Sequence, residues 1–231
     1  SGTDLVEPAS RWDLAEHYAR FEHERQCHFG SFLSDISGFD AQFFRISGQE
    51  ADYMDPQQRL FLEEAWNALE SAGYVDESET PRRCGVYVGC GPGDYIRLFG
   101  NDAPAQAFWG NAGSVIPARI AYFLDLHGPA IAIDTACSSS LVAVHLACQA
   151  LWSGEISLAI AGGIYLHATP EFYLASNAAD MLSARGRCHT FDARADGFVP
   201  GEAVAAVVLK PLADALRDGD HIRALVRGSG V

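Results

Sequence analysis

The sequence predicts an α/β protein built in layers around a buried sheet. Short apolar runs bounded by glycine or proline recur at Arg83–Cys90, Ala130–Thr135, Leu158–Gly163 and Ala203–Leu209, and read as strands. Segments with apolar residues at helical spacing alternate with them, at Asp55–Gly73, within Gly110–Leu126, and at Ser138–Trp152. Strands alternating with helices imply crossovers packed on the faces of one sheet. The composition agrees: 231 residues, 48% hydrophobic and 20% charged, suit one sizeable core. No internal repeat or linker divides the chain, so residues 1–231 form one piece.

From the front, Ser10–Phe21 reads as a cap and a short helix, followed by a polar stretch. His17, His23, Cys27 and His28 lie there, but their spacing matches no zinc pattern, and the expectation is a solvated surface with no metal site. Phe39, Phe43 and Phe44 read as a packed aromatic cluster. Asp55–Gly73 is the clearest helix: Asp55 caps it, Pro56 suits its first position, and Gly73 suits a left-handed stop. The turn Gly91-Pro92-Gly93 follows a strand but lacks the endings of nucleotide loops. Further on, Pro170–Met181 reads as a helix and Leu182–Gly197 as a polar loop holding Arg185, Arg187 and Arg194. Leu212–Arg217 reads as a helix and Ile222–Arg227 as a final strand.

A formal charge of −14 argues against nucleic acid and anionic membranes as partners, because both demand basic surface. No apolar run reaches the roughly 18 residues of a membrane span, and the first residues do not form a signal peptide. Six cysteines without a CxxC pair suggest reduced thiols and a cytoplasmic protein.

Chemistry concentrates at one place. Ala130–Thr135 reads as a buried strand, and Ser138–Trp152 as a helix so uniformly apolar that it should be enclosed by other elements. Between them, Cys137 sits on a sharp strand-to-helix turn. A helix start offers unpaired N–H groups and partial positive charge, which favour a thiolate and can hold an oxyanion. A lone cysteine in an apolar run is more often an inert core residue. Three serines after it and a small residue before it favour a nucleophile.

The octapeptide Asp134–Leu141, DTACSSSL, resembles the nucleophile motif of the β-ketoacyl synthase (ketosynthase) domains of modular polyketide synthases. Met54–Tyr74, Arg119–Ala130, Phe191–Ala203 and Val207–Asp220 resemble the same family in the same order. The resemblance implies a thiolase-like layered α/β/α fold, present in part. The chain would begin past the family's first strand and helix, and lack the C-terminal half with its two histidines and lysine. It implies transfer of an acyl group from the phosphopantetheine of an acyl carrier protein to Cys137. Decarboxylative condensation with a malonyl-type extender would follow once the histidine-bearing remainder of the domain is present. No cofactor resides in the chain itself.

Family positions also map Phe198 near the cysteine and Met181 beside the acyl pocket, although ordinary packing explains both as well. Arg185, Arg187 and Arg194 suggest a basic rim for the carrier or its phosphate, against the reading of a solvated loop. Arg119–Thr135 resembles the segment along the family's dimer interface, which implies a homodimer. His145 is about 12 Å along the helix from Cys137 and faces elsewhere, while nothing in its spacing requires His189 to fold back on the thiol. Two other functions stay open: a structural, docking or acyl-transfer half-domain that does not condense, and a cysteine-dependent thioester hydrolase.

Overall fold

The computed structural model describes residues 4–19, 26–75 and 83–231. A two-residue antiparallel ribbon, β1 (Glu7–Pro8) with β2 (Phe29–Gly30), opens the chain and flanks α1 (Leu14–Tyr18). The helix at the front is shorter than expected and is capped by Asp13, whose carboxylate accepts from the Glu16 N–H at 3.1 Å. His23 and the expected end of that helix lie outside the described residues.

The centre is a four-stranded sheet in the order β4 (Ala130–Ile133), β3 (Cys84–Cys90), β5 (Leu158–Tyr165), β6 (Ala203–Leu209). The first three strands are parallel and β6 is antiparallel to β5. Side chains alternate across the sheet and define two cores. Val86, Val88, Leu158 and Ile160 face α3 (Pro56–Ala72) and α5 (Val115–Phe123). Tyr87, Ala159 and Ala161 face α6 (Ser139–Trp152) through Ala143 and Ala147. The result is the expected α/β/α layering.

Local signals set the helix ends. The Asp55 carboxylate accepts from the Gln57 N–H at 2.8 Å, Pro56 begins α3, and Gly73 ends it at φ 83°, a left-handed conformation that glycine adopts without steric cost. Of the aromatic cluster, Phe44 is buried and stacks on Phe39 at 5.3 Å, whereas Phe43 stays part-exposed against Trp66. Two shorter helices follow the sequence reading, α7 (Glu171–Ala178) and α8 (Leu212–Asp218), with α2 (Gly48–Asp52) and α4 (Ala105–Gly110) before them.

Four expectations fail, each for a non-local reason. Ile222–Arg227 forms no strand: the segment runs beside α3 and α6, with Arg223 donating to Ser71 Oγ at 2.9 Å, and finds no backbone ladder. Strand β4 is not buried, because it is the sheet's edge; Ile131 is part-exposed and only Ile133 is enclosed. Helix α6 is covered by the sheet on one face only, and Leu141, Leu146 and Trp152 are exposed on the rest. The front of the chain also departs from a solvated surface. Cys27 is fully buried with Leu14, Tyr18 and Tyr173, its Sγ 3.4 Å from the Phe29 carbonyl, and His28 stands edge-on to Tyr18. Among the described residues no group of acidic, histidine and cysteine side chains could hold a metal ion.

Candidate active site

Cys137 occupies the turn between β4 and α6, at the C-terminal ends of the parallel strands, where open α/β sheets present ligand crevices. The turn requires Ala136 at φ 55°, a left-handed conformation that costs a residue with a Cβ about 1 kcal/mol. Side chains hold it there. The Ala136 N–H donates to Asp134 Oδ1 at 3.0 Å, and the Thr135 N–H donates to Ser139 Oγ at 2.9 Å. Ser139 Oγ in turn donates to the Ala136 carbonyl at 2.6 Å, and Ser138 Oγ to the Thr135 carbonyl at 2.9 Å. Two of the three serines thus brace the turn. The third, Ser140, lies against the sheet where two strands carry glycine. A Cβ on Gly89 would sit 2.4 Å from the Ser140 N, and one on Gly163 would sit 2.7 Å from Ser140 Cβ. That close approach seats the start of α6 on the strand ends and delivers Cys137 to the surface.

Of the six cysteines, Cys137 and Cys188 are exposed. Burial pushes the thiols of Cys84 and Cys90 up to about 12 and about 11, and raises those of Cys27 and Cys148. No histidine hydrogen-bonds Cys137 among the described residues. His145 pairs with Ser229 Oγ at 2.9 Å, and His189 closes a turn in which its carbonyl accepts from the Asp192 N–H at 2.9 Å.

Met181 and Phe198 do come together: the Phe198 N–H donates to the Met181 carbonyl at 3.0 Å, and both side chains are part-exposed. Phe198 continues into an aromatic wall, 6.4 Å from Phe172, which lies 5.9 Å from Tyr165 and 4.8 Å from His167. The sequence reading missed Tyr165 and His167, which follow the run taken as a strand. The available signal was parity: Ala159, Ala161, Gly163 and Tyr165 share the face of β5 that α6 covers. Arg185, Arg187 and Arg194 are exposed, but each has a carboxylate neighbour: Asp196 at 3.0 Å, Asp4 at 3.6 Å and Asp192 at 2.9 Å. Their loop therefore carries less free positive charge than the sequence suggests.

Among the described residues no helix is long and apolar enough to cross a membrane. The family model for the β-ketoacyl synthase N-terminal domain matches residues 1–215. A phenolphthiocerol/phthiocerol polyketide synthase of Mycobacterium tuberculosis is 48% identical over 230 residues, a match covering 97% of this chain and 15% of that protein. The polyketide synthase PksL of Bacillus subtilis is 47% identical, again over 97% of this chain but 5% of its own length. The chain thus spans a small part of these much longer relatives. Among solved structures, the ketosynthase from module 6 of the Bacillus subtilis bacillaene synthase superposes with a TM-score of 0.85 at 44% identity, covering 94% of this chain and 37% of that one. The oxazolomycin ketosynthase domain of Streptomyces albus gives 0.85 at 38% identity, with 95% of this chain and 39% of that one covered. The layered sheet is thus the thiolase-like fold of ketosynthases, represented in part, and the chain belongs to the β-ketoacyl synthase family through its N-terminal domain.

Proposed function

We propose that this chain is the nucleophile-bearing portion of a polyketide ketosynthase and that Cys137 carries the growing acyl group. The supporting observation is an exposed thiol on a braced, left-handed turn at the start of a 14-residue helix. The Cys137 thiolate attacks the carbonyl of an acyl thioester on the phosphopantetheine of a carrier protein. The carbon–sulfur bond to the carrier then breaks, and the carrier thiolate leaves and takes up a proton. N–H groups at the start of α6 stabilise the tetrahedral oxyanion. Condensation with a malonyl-type extender, with loss of carbon dioxide, follows in the completed domain, where the remainder supplies the histidines. Met181 and Phe198 line the acyl chain's path.

Arg185, Arg187 and Arg194 meet the carrier or its phosphate: the pairs of Arg187 with Asp4 and Arg194 with Asp192 are exposed and exchange readily, whereas Arg185 keeps the largely enclosed Asp196. The free edge of β4, with Tyr122 and Ile131 exposed, serves a homodimer. The free thiols fit a cytoplasmic setting.

A second reading draws on the lack of any histidine bonded to Cys137 among the described residues: an acyl-transfer or docking piece that never condenses. Incubation with an acyl thioester followed by intact-protein mass spectrometry tests both. Stable acylation, lost in Cys137→Ala, supports the acyl-carrying site. Steady release of free acid would mark a thioester hydrolase, and no adduct would leave a structural role. Charge reversal of the three arginines should slow acylation from a carrier more than acylation from a small thioester.

A further inference from the structure

Tyr165 ends β5 on the face that α6 covers, two residues past Gly163, whose Cα lies against Ser140. Helix α6 runs opposite to the strands beneath it, so one step along β5 beyond Ser140 leads back toward Cys137. The two are close enough for charge on Cys137 to act on the Tyr165 phenol, which burial chiefly, with Asp94 and Cys137, pushes up to about 12. The phenol is therefore a proton donor throughout the neutral range. Its hydroxyl makes no hydrogen bond among the described residues. The ring itself is fixed: His167 stands edge-on to it at 4.9 Å, and Phe172 at 5.9 Å. His167 is tied in turn, its N–H donating to Glu202 Oε1 at 2.9 Å and its carbonyl accepting from Arg11 at 2.9 Å. Tyr165 also lines a cavity of about 170 Å³ whose walls include Asp94, Arg97, His167 and Glu171. A held phenol with no hydrogen-bond partner among the described residues thus lies within electrostatic reach of the thiol and on the wall of a polar recess.

We infer that Tyr165 is a specificity-determining residue that donates a hydrogen bond to an oxygen on the β-carbon of the acyl chain held by Cys137. This rests on reading Cys137 as the acylated residue. The helix N–H groups serve the thioester carbonyl, which leaves the phenol for the next oxygen along the chain. The site accordingly selects β-hydroxyacyl groups over saturated chains of equal length, because a saturated chain would exclude water from the hydroxyl and leave it unpaired.

The test measures acylation of Cys137 in the full chain by mass spectrometry, with β-hydroxybutyryl and butyryl thioesters of N-acetylcysteamine. The expected preference for the hydroxylated chain is about threefold to tenfold, the range of one neutral hydrogen bond. In Tyr165→Phe, which removes only the unpartnered oxygen, the ratio of the two rates should fall toward one. A thermal midpoint matching the parent chain would show that the variant is folded. Acylation without preference in the parent chain would overturn the inference and leave the nucleophile assignment intact. An unaltered ratio in the variant would do the same, as would an equal loss with both thioesters, which would assign the phenol to the thioester carbonyl. No acylation by either thioester would overturn both readings.

Discussion

Arg11 and Glu202, separated by 191 positions in sequence, form a two-pronged ion pair in which both carboxylate oxygens accept from the guanidinium. The carboxylate is fully enclosed and also accepts from the N–H groups of His167 at 2.9 Å and Leu33 at 3.0 Å. Arg11 further donates to the carbonyls of His167 and Leu33. One pair thereby fastens the opening segment, the Leu33 loop and the end of β5 together, and through His167 it holds the aromatic wall of Tyr165 and Phe172.

Replacing Glu202 by Gln should be strongly destabilising. It leaves a largely buried guanidinium without its counter-charge, which typically costs about 3–5 kcal/mol. Urea unfolding measures the loss, and a double-mutant cycle with Arg11→Ala isolates the pair. A loss under about 1 kcal/mol, within the range of an exposed pair, would show the clamp to be dispensable.

The seat of α6 gives a sharper test. In Gly89→Ala the new methyl would lie 2.4 Å from the Ser140 N, a backbone atom that cannot turn aside. Overpacking of this kind costs roughly 1–3 kcal/mol. Gly91→Ala is the control, because its Cβ would meet nothing within 4 Å. Equal melting temperatures for the two variants would contradict the close-approach account of how Cys137 is placed.

Iodoacetamide at neutral pH should alkylate Cys137 first. Cys148, Cys84 and Cys90 are buried with raised thiols, and should react only as the protein opens. Cys188 is exposed as well, but it lies in a loop away from any helix start and should trail Cys137. Peptide mapping after partial labelling gives the order. Cys148 modified as fast as Cys137 would contradict the assignment.

Much of this was legible in the sequence, and the division follows the range of the forces. Asp55, Pro56 and Gly73 mark α3 because capping is settled within one turn of chain. The Cys137 turn was legible for the same reason, since its braces, Asp134, Ser138 and Ser139, are neighbours in sequence. Pairing is not local. Ile222–Arg227 has the composition of a strand yet lies beside β6 without pairing to it, and Ala130–Ile133 is apolar yet lies at an edge. The apolar character of α6 reported burial that this chain's own elements supply on one face only. Tyr165 stayed hidden because its place depends on which face of β5 meets α6, a fact of packing that composition does not carry.

Asp55 links the fold to pH. Burial pushes its carboxyl up to about 6, against the pull of the Gln57 N–H and of Arg59. An aspartate in the unfolded chain titrates near pH 4. The folded state thus binds this proton more tightly, so the group's contribution falls as pH rises from about 4 to about 6. A shift of this size corresponds to roughly 2–3 kcal/mol. Asp55→Asn keeps a good cap and carries no charge, so its advantage over the parent chain should grow across that window. Urea midpoints taken from acid to neutral pH check it, and parallel curves would refute the assignment.

This chain alone should not form carbon–carbon bonds. On the proposed reading, acylation of Cys137 draws on the turn and the N–H groups of α6. Condensation also needs donors for the negative charge on the extender's enolate. Among the described histidines, His167 is buried and His145 is engaged by Ser229, while His189 lies in its own turn and none bonds to Cys137. Losing one preorganised oxyanion donor costs about a hundredfold to a thousandfold in rate, and losing several together should leave activity near background, although such losses do not simply add. The surface points the same way. Tyr122 and Leu141 are 90% and 74% exposed, and among the described residues no strand pairs with the outer edge of β6, where Val207 is exposed, so association with a covering partner or self-association is expected. The measurement supplies purified chain with acyl and malonyl carrier proteins and looks for the β-ketoacyl product. Product well above a Cys137→Ala control, with no second polypeptide present, would mean that a donor within these 231 residues stabilises the extender's enolate.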